Sequence, residues 1–173
     1  DDSPVDVAIL GAGASGMAAA KECERHGLSY VVLEAKRRFA TIKDFQKGKP
    51  IYTYPNEMTP AGDVQVSADV KEALVEELEA QTSDVPVREG EAHRIEETPD
   101  GLDVVLADGE RVHAQRIIVA IGRSGTFRSL DVPGEDREHV HHRLLDPTHY
   151  AGRDVVVIGG GDSACEAAIA LAD

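Results

Sequence analysis

The sequence predicts an α/β fold: a mainly parallel sheet flanked by helices, a small antiparallel meander on one side, and the start of a second, similar unit near the C-terminal end. Three observations carry that expectation. Short, largely apolar runs at Val5 to Leu10, Tyr30 to Leu33 and Arg116 to Ile121 read as strands buried on both faces. The first run passes through a glycine turn directly into a helical stretch. The same opening pattern, apolar residues followed by glycines, returns at Asp154 to Ile158.

The elements follow in order. Val5 to Leu10 is apolar except for Asp6 and ends at Gly11; Ala14 to His26 is rich in Ala, Lys and Glu without proline, and Gly27 supplies the stop. Tyr30 to Leu33 is β-branched and aromatic, as a strand requires. From Arg37 to Asp63 the chain is punctuated by Gly48, Pro50, Pro55, Pro60 and Gly62, which predicts a long irregular connection of the kind that usually serves function. Ser67 then reads as the cap of a helix over 68–81, with Val70, Ala73, Leu74 and Leu78 as its apolar stripe. Val85 to Val87 restarts the sheet. His93 to Glu97 and Leu102 to Leu106 join across Pro99-Asp100-Gly101, and Asp108-Gly109 leads to a further strand at Val112. Arg116 to Ile121 ends at Gly122, Pro133-Gly134 and Pro147 mark irregular chain, and Ser163 to Ala172 reads as the helix after the last strand.

Composition excludes several classes. At 173 residues the chain can bury one good core but is short for two complete domains of this kind, so it reads as incomplete. A formal charge of −14 argues against a nucleic-acid partner, which needs a positive footprint. No apolar run approaches the roughly 18 residues of a membrane span. The opening DDSPVDVAIL carries no initiator Met, basic region or cleavage site, which predicts neither signal nor transit peptide and a cytoplasmic protein. Cys23 and Cys165 form neither a disulfide framework nor a C-x-x-C pair and read as packed thiols in a reducing compartment. His139, His141 and His142 lack a supporting carboxylate or thiol, so no metal is expected.

The chemistry lies in the glycine loops. Gly11-Ala12-Gly13-Ala14-Ser15-Gly16 fits G-x-G-x-x-G between a strand and a helix, the context of a Rossmann-like dinucleotide site. Gly11 permits the tight turn, Gly13 leaves room for a pyrophosphate, Gly16 lets helix and strand pack closely, and the helix N-terminus offers N–H groups to the anion. Glu34 ends the second strand at about the 20-residue spacing where a carboxylate can hold a ribose hydroxyl pair. Gly159-Gly160-Gly161-Asp162-Ser163-Ala164 is a second loop, G-x-G-x-x-A, lacking the strand and acid that should follow.

DVAILGAGASG, the strand RIIVAIG, the linker VPGED and finally VVVIGGGDSACEAA together resemble the two-domain FAD/NAD(P)H flavoproteins of the thioredoxin reductase type. The resemblance covers nearly the whole chain and implies a division into residues 1–123, the N-terminal part of an FAD-binding domain, and 124–173, a linker and the incomplete start of an NAD(P)H-binding domain. It implies that Gly11, Ala12, Gly13, Ala14, Ser15, Gly16 and Glu34 hold the ADP half of FAD, with Ala120 to Gly122 beside the cofactor. Gly159, Gly161, Asp162, Ser163 and Ala164 would face the phosphates of NAD(P)H. The expected activity is transfer of hydride from NAD(P)H to FAD and of electrons onward to a small molecule or small redox protein, with a homodimer among the expectations.

Two departures limit what carries over. The positions of the family's redox dithiol hold His142 and Leu145, so the chain resembles the branch without it, bacillithiol-disulfide-reductase-like and ferredoxin-NADP-reductase-like flavoproteins. The usual glycine pair after the ribose acid is replaced by Arg37-Arg38-Phe39-Ala40. Lys47 and Lys49 read as solvated loop charges or as cations near the flavin ring, and Tyr54-Pro55 as a plain turn or a flavin neighbour. Two other functions fit the same loops: a flavin monooxygenase, and a noncatalytic FAD-binding module whose redox state controls partner binding.

Overall fold

A computed structural model describes residues 4–53, 59–123 and 129–172; Tyr54 and Pro55 lie outside the described residues. Strand β1 (Val5–Leu10) leads into helix α1 (Ala14–Arg25) and strand β2 (Tyr30–Glu34). After the short helix α2 (Ala40–Lys43) come α3 (Lys71–Gln81), β3 (Val87–Glu89), β4 (Ala92–Thr98), β5 (Gly101–Leu106) and β6 (Arg111–Val119). A 3₁₀ turn (Pro147–Tyr150) and α4 (Asp162–Ala172) close the described chain. The strands form one six-stranded sheet in the order β3-β2-β1-β6-β5-β4. β3, β2, β1 and β6 run parallel, and β5 and β4 extend the sheet antiparallel.

Strand alternation explains why β1 is apolar almost throughout. Val7 and Ile9 face one core with Val32 of β2, Met17, Ala20 and Cys23 of α1, and Leu74 and Leu78 of α3. Ala8 and Leu10 face the opposite side, where Leu33, Val104, Leu106, Val112 and Ala114 bring the meander over the parallel strands. Helix α1 ends as its glycine predicts: Gly27, at φ 66°, donates to the Glu24 carbonyl at 3.1 Å and Leu28 N–H to the Cys23 carbonyl at 2.9 Å, satisfying carbonyls the helix leaves open.

Several boundaries differ from the sequence expectation. The strand near Val112 and the strand Arg116 to Ile121 are one strand, β6, in which Ala114 pairs with Leu102 of the meander and with Val5 of β1. The expected stop at Gly122 falls after Val119 instead. Ser67 does not cap α3. Val70 is the cap residue and is extended because this segment pairs with the loop: Ile51 N–H donates to the Asp69 carbonyl at 2.8 Å and Lys71 N–H to the Lys49 carbonyl at 3.0 Å. Ser67 donates its hydroxyl to Glu77 instead, at 2.5 Å, and Ala73 is exposed while Leu74 and Leu78 are buried. The sheet resumes at Val87 rather than Val85, which is buried in the turn before it. Asp154 to Ile158 forms no strand among the described residues, and Val156 and Ile158 are 85% and 71% exposed.

The start of β1 is tied to β2 by Asp6, which accepts from Ser29 N–H at 2.8 Å and from the Ser29 hydroxyl at 2.6 Å. The hydroxyl bond, then the amide bond, holds the Asp6 carboxyl below its ordinary 3.8. A depressed carboxyl stabilises the fold above its unfolded pKa and loses that contribution as pH falls through the folded value. The melting-temperature advantage over Asp6→Asn should therefore be constant near neutrality and shrink below about pH 4. An advantage that does not change with acidification would show that the ionised carboxylate adds nothing to the tie.

Candidate functional site

The parallel strands β1, β2 and β6 end side by side, and the chain leaves β1 toward β2 on one side while β6 flanks it on the other. The crevice outside the carboxyl ends of such strands, where the order reverses, is where open α/β sheets bind ligands. The first glycine loop occupies that place. Gly11, at φ 106°, donates its N–H to the Leu33 carbonyl at 2.7 Å; a Cβ on it would lie 2.5 Å from the Ala120 carbonyl oxygen. A Cβ on Gly16 would lie 1.8 Å from the Gly11 carbonyl oxygen, so helix and turn approach to backbone contact. Around Gly13 a Cβ would meet nothing within 4 Å.

Gly13 is the N-cap of α1 and no side chain caps the helix, so the first-turn N–H groups at Ala14, Ser15 and Gly16 have no intrahelical partner, and the turn itself contains no acidic residue. Open space and unsatisfied donors at one helix end fit a phosphate. Ala12 is locked from both sides: its N–H donates to Glu34 Oε2 at 2.7 Å, and its carbonyl accepts from Phe39 N–H at 2.9 Å. Glu34 Oε1 accepts from Lys36 N–H at 2.9 Å. The carboxylate therefore sits against the glycine loop with lone pairs left for further donors. Ala120 N–H donates to the Leu10 carbonyl at 2.8 Å, which brings Ala120 to the base of the loop, and Gly122 follows at φ 69°.

The second loop opens α4. Gly159, at φ 137°, packs near Ala164; Gly160 and Gly161 have open surroundings; and Asp162 and Ser163 begin α4. Its preceding segment lacks sheet partners among the described residues. Lys47 and Lys49 are engaged rather than free: Lys47 Nζ lies 3.3 Å from Asp146, and Lys49 Nζ pairs with Glu166 on α4 and lies 5.8 Å from the Phe45 ring centre. With Arg143 reaching Asp44 at 3.5 Å and Lys47 N–H donating to the Leu145 carbonyl at 2.8 Å, the loop after α2 meets the linker and α4. Cys23 is buried, burial pushing its thiol pKa up, and Cys165 is exposed. The His141 ring packs edge-on against Tyr150 at 5.8 Å.

Sequence reasoning missed Phe39 and Arg38. Phe39 is 1% exposed and adopts φ 55°, while Arg38 Nη2 donates to the carbonyl and to the hydroxyl of Thr82, the latter at 2.9 Å. The signal was present in the replaced glycine pair. A position where relatives keep glycine is one where the backbone needs φ above zero.

The fold and this loop define a dinucleotide-binding α/β protein. The chain belongs to the pyridine nucleotide-disulphide oxidoreductase family, whose pattern it matches over residues 8–173. It is 34% identical to a ferredoxin–NADP reductase of Ignicoccus hospitalis over 97% of this chain and 53% of that relative. Among solved structures, the bacillithiol disulfide reductase Bdr of Staphylococcus aureus shares the fold at a TM-score of 0.82 and 21% identity, over 98% of this chain and 54% of that one. The Bacillus cereus enzyme of the same name gives 0.78 and 26% identity, over 98% and 56%. The chain spans about half the length of the curated relatives it matches. No helix among the described residues is long and apolar enough to cross a membrane.

Proposed function

We propose that this chain is the FAD-binding part of an NAD(P)H-dependent oxidoreductase that passes electrons to a small molecule or small redox protein without a dithiol of its own. The observation that carries the reading is the glycine loop at the sheet's switch point, with the uncapped N-terminus of α1, open space at Gly13 and Glu34 bonded to Ala12 N–H. In this reading Gly13, Ala14, Ser15 and Gly16 receive the pyrophosphate, Glu34 accepts from the ribose hydroxyls, and Ala120 and Gly122 border the cofactor. Residues 1–123 form the FAD part. Residues 124–173 lead into the NAD(P)H part, where Gly159, Gly161, Asp162, Ser163 and Ala164 meet its phosphates. FAD, when bound, supplies the acceptor for hydride from NAD(P)H. The chain's residues bind and orient it. Two free thiols fit a reducing cytoplasm.

The test is oxidation of NADH and NADPH, with ferricyanide as acceptor, by the FAD-saturated chain beside one continued to the length of its relatives. The longer protein should turn over and the 173-residue chain should not, because losing one partner's site forfeits roughly 7–11 kcal/mol of positioning. No turnover by the longer protein would contradict the oxidoreductase reading, and equal rates would contradict the division at residue 123. In the same assay, replacing Cys23 and Cys165 together with alanine should leave the turnover of the longer protein within about threefold, since neither stands at the positions of the family's dithiol, which hold His142 and Leu145. Complete loss would establish a thiol relay after all.

A further inference from the structure

We propose that Phe39 is a positioning residue for the phosphate-binding loop: it fixes Ala12, and through Ala12 the geometry in which the first turn of α1 meets the FAD pyrophosphate. This deepens the FAD-binding reading and rests on it.

Three observations converge on this residue. Phe39 is one of only two non-glycine residues with positive φ among the described residues, a conformation that costs a side-chain-bearing residue free energy and persists where its surroundings enforce it. Its ring is buried in the core cluster that also contains Ala12 and Met17, so the side chain anchors the strained turn from below rather than pointing to solvent. Its N–H donates to the Ala12 carbonyl at 2.9 Å, and its carbonyl accepts from Lys43 N–H at 2.9 Å, so the turn is bonded to the glycine loop on one side and to α2 on the other. Beside it, Arg38 ties the same turn to Thr82 at the end of α3.

The consequence follows from Ala12's position. It precedes Gly13, the cap residue whose neighbours carry the free N–H groups, and its two backbone polar groups are taken by Glu34 and Phe39. With one polar group of each peptide flanking Ala12 held, rotation of the loop just before the α1 donors is restricted, and less ordering is left to be done on binding. A glycine pair would permit the same turn by lacking a Cβ; here a buried aromatic ring holds it.

The experiment compares matched core deletions in the chain: Phe39→Ala and the milder Phe39→Leu, against Leu74→Ala and Leu74→Val on α3, in the same cluster but away from the loop. Two readouts are taken below the melting range: amide hydrogen exchange of the bonded N–H groups of residues 12, 17 and 39 without cofactor, and the FAD dissociation constant from flavin fluorescence. Phe39→Ala should speed exchange in the loop and weaken FAD by about tenfold, the size of one lost hydrogen bond, and Phe39→Leu by about threefold. The Leu74 variants should lower the melting temperature comparably without moving either readout. Equal effects of Phe39 and Leu74 variants would overturn the proposal, leaving Phe39 an ordinary core residue. Should Phe39→Ala fail to fold, Phe39→Leu against Leu74→Val decides on the same terms. If the unaltered chain binds no FAD, the FAD reading fails, while loop exchange still reports whether Phe39 holds Ala12.

Discussion

Alanine at Gly16 should destabilise the chain, whereas alanine at Gly13 should leave it folded and abolish tight FAD binding. At Gly16 the new Cβ would stand 1.8 Å from the Gly11 carbonyl oxygen, and both groups belong to backbone held by α1 and the sheet. Relief requires α1 to move off β1, which breaks the packing of Met17 and Ala20 against Ile9 and Val32. Overpacking of a well-filled core costs about 1–3 kcal/mol, and a clash with fixed backbone belongs at or above the top of that range. For a chain of this size that is a melting-temperature loss of roughly 10 °C. At Gly13, by contrast, a Cβ meets nothing within 4 Å, and φ is −81°, so the fold accepts it at a cost of about 1 kcal/mol or less. The methyl then fills the space through which the pyrophosphate approaches. Thermal melts and FAD titrations on the two variants check both halves, and a Gly16→Ala chain as stable as the original would remove the close helix–strand contact from the account.

Substituting Glu34 should be graded by how many N–H groups it deserts. The carboxylate gives one oxygen to Ala12 N–H at 2.7 Å and the other to Lys36 N–H at 2.9 Å. Glutamine keeps one acceptor but turns an NH₂ donor toward the other N–H, so it should cost about one hydrogen bond, 1–3 kcal/mol. Arginine removes both acceptors and sets a cation against the loop's donors; it should weaken FAD by about 3 kcal/mol or more. Fluorescence titration of Glu34→Gln and Glu34→Arg should therefore rank them in that order. An unchanged affinity in Glu34→Arg would detach Glu34 from the cofactor.

The strand, loop and helix at the start of the chain were legible because three local rules agree there: an apolar run, glycines at fixed spacing, and a helical stretch ended by glycine. Where tertiary pairing decides, local pattern failed. β6 reads as two strands in the sequence because exposed Gln115 and Arg116 interrupt its apolar residues where the strand passes from the meander to the parallel sheet. α3 starts later than Ser67 suggests because the bridge between Pro50 and Val70 keeps Val70 extended, a contact across the long connection that local sequence does not signal. Asp154 to Ile158 has the composition of a buried strand, yet composition supplies no neighbour to pair with. In the site, residue types and spacing identified the loop and the acid. They give no hint that Glu34 bonds the loop itself, and the replaced glycine pair hints at a left-handed turn without indicating that a buried Phe39 forms it, since both depend on how the segment after β2 folds back.

The most direct test of the account is a comparison of FAD with FMN, titrated by flavin fluorescence, with ADP as competitor. The glycine loop, the free N–H groups of α1 and Glu34 all address the pyrophosphate and ADP ribose, which FMN lacks. Several charge-assisted hydrogen bonds should make FAD bind about 100-fold more tightly than FMN, and ADP should displace it. Equal affinity for the two flavins, or FAD binding that ADP does not disturb, would contradict the assignment of this loop as the cofactor's grip.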